Sequence, residues 1–289
     1  MRLGLGLGVD SITSQKIGAG FTGILDEYSG AVAAYSVRRM SGSYSGSALR
    51  VRRSSDDDEQ DIGFDANGDL DTTALLAFVG TGGTDNGFVT KIYNQSGTGG
   101  TGRDLVQGTE SRQAKIVNAG TLLTEGGKPC IKANIISSIV YGTYELGTAY
   151  EIPQPSFSIF SVLAHGSTQT TYVISGSTIS SDRFFQSSGR LRYTINGSGN
   201  YDIYQTIDRT RVVDMYMNDG TLTFHQNNSE VGSVDTSASN GNSFEFKRLG
   251  SGGNNNNPEE FQELIIFPED KDTQRGDIRD NINTYFSVY

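Results

Sequence analysis

Apolar residues along this chain come in short runs broken by Gly, Ser and Asn, a rhythm that predicts strands rather than long helices. The clearest run is Ser156 to Ala164, SFSIFSVLA, which follows the EIPQP break and has the content of a buried strand. Shorter strands are predicted at Tyr172 to Ser175, Arg183 to Gln186 and Leu191 to Thr194. Val212 to Met217 and Thr221 to His225 flank Asn218-Asp219-Gly220, residues that tolerate positive φ and so predict a hairpin. Phe244 to Arg248 and Phe261 to Phe267 complete the strand set. Helical periodicity is confined to two places. Leu70 to Gly80 reads as a short helix with Asp71 as N-cap and Gly80 as the stop. Near the C-terminus, Ile278, Ile282 and Tyr285 share one helical face, with Asp272 or Thr273 as the cap.

Many short antiparallel strands predict an all-β fold: an antiparallel β-sandwich, or jelly roll, with a short C-terminal helix. No Pro-rich or charged linker divides residues 30–289, which are expected to form one domain. Residues 1–29 read separately. Leu3, Leu5 and Leu7 alternate with Gly, a strand-like period that cannot bury much alone. This segment is expected either to attach to a partner or to be a flexible leader.

Composition narrows the function classes. The formal net charge of −10 disfavours nucleic acid as a partner, because phosphates need a basic surface. Cys130 is the only cysteine, which excludes an intrachain disulfide and a thiolate zinc cluster. The N-terminal apolar stretch is too short for a signal peptide or a membrane span. His165 and His225 are the only histidines and fit no triad or zinc motif, so no cofactor is expected. Asp65, Asn67, Asp69 and Asp71 place oxygen ligands at alternate positions, as calcium loops do, but lack the distal Glu of an EF-hand; a turn followed by the Asp71 cap is the alternative. In the run Arg50 to Glu59, Arg52 or Arg53 is expected to tether the acidic loop by bidentate pairing.

Three blocks carry a resemblance: GAVAAYSVRRMSGSYSGSALRVRRSSDDDEQDIGF from Gly30, LDTTALLAFVG from Leu70, and GFVTKIYNQSGTGGTGRDL from Gly87. They resemble the N-terminal part of the family 54 α-L-arabinofuranosidase catalytic domain. They are also similar to a group of bacteriophage structural proteins with a laminin G or concanavalin A-like jelly roll. The C-terminal NINTYF pattern extends the likeness over roughly residues 28–289. The resemblance implies that Tyr93 to Gly97 is a structural turn. It also implies an acid/base Asp after a late L-G-x-G-G segment, a mid-chain Glu nucleophile and a pair of adjacent cysteines. Here Leu249-Gly250-Ser251-Gly252-Gly253 is followed by Asn254, and an amide cannot donate and retrieve a proton as a carboxyl does. The stretch Asp182 to Gln186 has no Glu, and Cys130 has no neighbouring cysteine. Gly253, Asn254 and Asp182 are therefore candidate glycan-binding rather than catalytic residues.

The expectation is a non-enzymatic virion element of a phage, a fibre, spike or decoration protein that adheres to host glycans. Residues 1–29 would join it to other virion proteins or to sister subunits, a homotrimer being the expected assembly. The alternatives are an arabinofuranosidase-like hydrolase with relocated carboxylates and a bacterial surface lectin module.

Overall fold

Strand Phe157–Ala164 is buried along its whole length, which requires cover on both faces. In the computed structural model it pairs antiparallel with Glu260–Phe267 on one side and Val212–Asn218 on the other. The structure describes residues 20–289 except 99, 137–138, 165–170, 178–181, 188–189, 196–198, 205–211, 240 and 251–257. Glu260–Phe267 holds the centre. Its other edge takes Ala33–Ser36 along one half and Ile131–Lys132 along the other. Beyond Val212–Asn218 the layer continues through Thr221–Gln226 to Ser229–Asp235.

The second layer runs from Leu105–Val106 through Tyr144–Ile152, Phe244–Leu249, Thr171–Ser175, Arg183–Ser187 and Arg190–Ile195 to Gly199–Tyr204. Gly87–Ile92 links the two layers, because its strand neighbours are Leu49–Arg53, Leu105–Val106 and Lys115–Asn118. Every described pairing between named strands is antiparallel, as an all-β sandwich requires. Aromatic contacts fix the layers face to face: Tyr35 against Phe246, Phe157 against Tyr193, and Phe184 against Phe224.

The first layer's outer face is covered by α3, Arg275–Phe286, which buries Ile278, Arg279, Ile282 and Phe286. Phe286 is buried with Ile278 and Ile282, and Tyr285 is half-buried against the core. The predicted cap is corrected. A 3-10 turn, Asp272–Gln274, leads into the helix and no side chain caps it. Asp272 instead pairs with Arg275, which also holds Asp270 at 2.8 Å. Helix α2, Thr72–Val79, starts as the sequence indicates: the Asp71 carboxylate accepts from the Ala74 N–H at 2.8 Å. The hairpin at Asp219-Gly220 has φ of 45° and 81° at its two turn residues, the geometry for which Asp and Gly suit.

Residues 1–19 lie outside the described residues, so the fate of the Leu-Gly alternation is not on view. Of the segment drawn as 1–29, the structure describes residues 20–29. Helix α1, Ile24–Glu27, belongs to the body: Ile24 is buried, the Leu25 N–H donates to Met40 O at 2.8 Å, and Lys271 donates to Ser29 O at 2.9 Å. Gly23 approaches so closely that a Cβ there would stand 2.2 Å from Met40 O.

Candidate active site

The blocks that carry the resemblance build scaffold. The Asn94 Oδ1 accepts from the N–H groups of Ala34 and Ser96. Gln95 is buried, donating to Ser36 O and Arg38 O and accepting from the Met40 N–H. Tyr93 to Gly97 is thus the structural turn expected, clamping the first strand and the segment after it. Arg53 grips Asp56 through Nε and Nη2, and Arg52 reaches Asp57 and Gln113, so both arginines tether the acidic loop.

The residues offered for calcium have partners within the protein. Asp65 Oδ1 accepts from the Asn67 and Asp69 N–H groups, and Asp71 is spent on its cap. Lys128 and the Tyr285 hydroxyl occupy Asp69, where they outweigh the opposing effect of burial and hold its carboxyl below the ordinary value. An Asx turn and two engaged carboxylates account for the pattern. Among the described residues no three metal-ligating side chains gather. Cys130 is buried, and burial first, then Glu260, pushes its thiol up to about 12, which removes it from thiolate chemistry.

Gly253 and Asn254 lie outside the described residues, as does His165. Asp182 is buried, 5% exposed. Its Oδ2 accepts from the Glu245 N–H at 2.8 Å, and its backbone carbonyl accepts from Gly176 at 2.8 Å. This places it beside the start of Phe244–Leu249, whereas Gly250 follows the other end, hydrogen-bonded to Val173. At about 3.3 Å per residue the two ends are roughly 15 Å apart. Asp182 is therefore an anchor for the strand at its Glu245 end.

A continuous polar strip does run along this strand. Glu145 accepts from Arg248 at 2.8 Å, and Arg248 reaches on to Gly176 O. The next residue, Ser177, gives its N–H at 2.8 Å and its hydroxyl to the Glu245 carboxylate. Glu145, Glu245, Arg248 and Ser177 were missed in the sequence. The available signal was the outward position of Glu245 between Phe244 and Phe246, both buried.

A second polar cluster lies under α3. Asp214 is paired in register with His225 on the adjacent strand. Its Oδ2 stands 3.7 Å from the His225 Nδ1 and 3.8 Å from Arg279, and neither oxygen has a hydrogen-bond partner. Burial raises the Asp214 carboxyl to about 7 against the pull of Arg279 and Arg275. Burial, then the same two arginines, lowers His225 to about 4.

Comparison with known proteins bears on function. The family model described as "Alpha-L-arabinofuranosidase B, catalytic" matches residues 26–121, about a third of the chain. No curated protein matches. Among solved structures, a GH54 α-L-arabinofuranosidase soaked with a cyclic sulfate inhibitor and an arabinofuranosidase complexed with arabinofuranosyl-α-1,2-xylobiose each superpose with a TM-score of 0.57 at 18% identity. Both cover 87% of this chain, which spans 62% of theirs, and at that identity the likeness is one of fold. The expectation of a virion element without catalysis is corrected by these matches, which fall on a glycoside hydrolase catalytic domain and back the hydrolase alternative.

Proposed function

We propose that this chain is a glycoside hydrolase that removes α-L-arabinofuranosyl groups, using carboxylates on the strip along Phe244–Leu249. One observation carries the reading: a catalytic-domain sequence signature at residues 26–121 occurs on a sandwich whose second layer gathers Glu145, Glu245 and Asp182 through one hydrogen-bonded chain. Glycoside cleavage needs one carboxyl to protonate the leaving oxygen and a second carboxylate on the other side of the reacting carbon. Glu245 and Glu145 are the reacting pair in this reading. Ser177 orients Glu245, Arg248 orients Glu145, and buried Asp182 holds the strand that presents them. Asn254, which follows the L-G-x-G-G segment, supplies an amide where the family places an acid, so the acid function passes to the strip.

The test is release of nitrophenol from 4-nitrophenyl α-L-arabinofuranoside. Glu245→Gln is expected to lower kcat by about 10²-fold or more, in the range of general acid–base contributions. Asn254→Asp restores a carboxyl at the family's acid position and is expected to raise turnover. Wild-type protein that releases nothing between pH 4 and 8, or a Glu145→Gln/Glu245→Gln double variant with undiminished turnover, would overturn the reading.

A further inference from the structure

Two clefts that share no lining residue with the strip open on either side of the Tyr44-Ser45-Gly46 loop. One, of about 390 Å³, lies between this loop, helix α1 and the Gln95–Gly97 turn. The other, of about 360 Å³, is walled by Arg39 and Phe64. Each is within the size range of small-molecule sites. We propose that the two clefts form one groove for a neutral oligosaccharide, with the Tyr44 ring as its central platform.

Tyr44 is fixed before any ligand arrives. Its hydroxyl donates to Ser47 O at 2.9 Å, and its ring meets Phe64 edge-on with centroids 6.3 Å apart. Gly46 leaves it room, since a Cβ there would stand 2.5 Å from the phenol oxygen. Burial, with Asp104 adding to it, pushes the phenol up to about 12, so the hydroxyl stays a donor at working pH. A side chain already immobilised loses little entropy when a sugar face packs on it.

Acceptors and donors flank the ring. In the first cleft the Asp26 carboxylate takes the Gly23 and Gly42 N–H groups on Oδ2, while among the described residues Oδ1 takes only Ser41 at 2.6 Å and keeps acceptor capacity. In the second, Arg39 binds the carbonyls of Ser41 and Gly42 through Nε and Nη2, and among the described residues Nη1 has no hydrogen-bond partner. Exposed Ser45 lines both clefts, and exposed Ser43 lines the first, its hydroxyl 2.9 Å from that of Ser41. An aromatic face with polar groups of both senses at its edges suits a polyol. The anionic Asp26 disfavours acidic sugars in the first cleft, and the net charge of −10 disfavours nucleic acid.

This inference rests on the hydrolase reading only for the choice of probe, short arabinoxylan oligosaccharides. Calorimetric titration of the full chain is expected to show saturable binding, also in Glu245→Gln. Tyr44→Ala should weaken it at least tenfold, while Tyr44→Phe keeps most of it. Ser45→Arg, an exposed substitution that blocks both clefts without touching the core, should act like Tyr44→Ala. Unchanged turnover of the nitrophenyl substrate in Tyr44→Ala and Ser45→Arg separates the groove from the strip. Binding that survives both variants, or no binding by wild type, overturns the groove; binding without any turnover sinks the hydrolase reading alone.

Discussion

Arg38 and Glu263 form a buried ion pair. Glu263 is fully buried, and the Arg38 guanidinium meets both its oxygens at 2.7 and 2.9 Å. Ser36 adds a hydroxyl to the same carboxylate, and Asn281 of α3 accepts from Arg38. The guanidinium also lies over the rings of Tyr285 and Phe286. One ion pair thus ties the first strand, the central strand and α3. Arg38→Ala would strand a buried carboxylate and is expected to cost about 3–5 kcal/mol. Arg38→Met with Glu263→Leu should cost less in the same denaturant titration, because no charge is left behind. Asp214 gives the opposite lesson. Its folded carboxyl titrates near 7, above its unfolded value, so the native state holds the extra proton and stability falls as pH rises from about 4 to 7. His225, lowered to about 4, works the other way between 4 and 6.5 and masks the slope. Asp214→Asn removes only the first effect. It should melt higher than wild type at pH 8, and the gap should close by pH 4; a gap independent of pH would refute the assignment.

Helix α2 shows how far local chemistry alone determines an element. Asp71 caps it and Gly80 ends it at φ 94°, both as the sequence indicates. Asp71→Ala should cost about 1 kcal/mol by thermal melting, the usual worth of an N-cap, with no change in fold. The strands legible in the sequence were those that bury a face: Phe157–Ala164, Phe244–Leu249 and Glu260–Phe267. Ser229–Asp235 was not legible, because a strand paired on one side only needs no apolar alternation and its side chains are largely exposed. Gly199–Tyr204, which pairs with Arg190–Ile195, was missed for its polar content, Gly-Asn-Tyr-Asp at its start. The polar strip was hidden for another reason. Glu145 and Arg248 are about a hundred residues apart and become neighbours only through strand register, which no local pattern encodes. Asp182 was picked out because its stretch is comparable to the family's nucleophile strand; its hydrogen bond comes from the backbone of Glu245, 63 residues away.

At the scale of the whole molecule, the described residues Ile24 to Ser29 are packed into the body. Deleting residues 1–28 would remove Ile24 from the core and the Asp26 carboxylate from Gly42 and Ser41. The truncated chain should melt several degrees lower, as a loss of a few kcal/mol implies for a domain of this size; an unchanged melting temperature would return the boundary to residue 29. The central place of Glu260–Phe267 carries a further consequence for how the protein is born. Ala33–Ser36, Ile131–Lys132 and Phe157–Ala164 all dock on that one late strand. At 5–20 residues per second, a ribosome needs roughly 15–60 s to deliver this chain. For most of that interval the early strands have made their apolar faces but not the surface that receives them. Nascent chains halted before residue 260 should therefore be protease-sensitive and held by chaperones, and resistance should arise abruptly once residues 260–267 are free to fold, rather than growing with length.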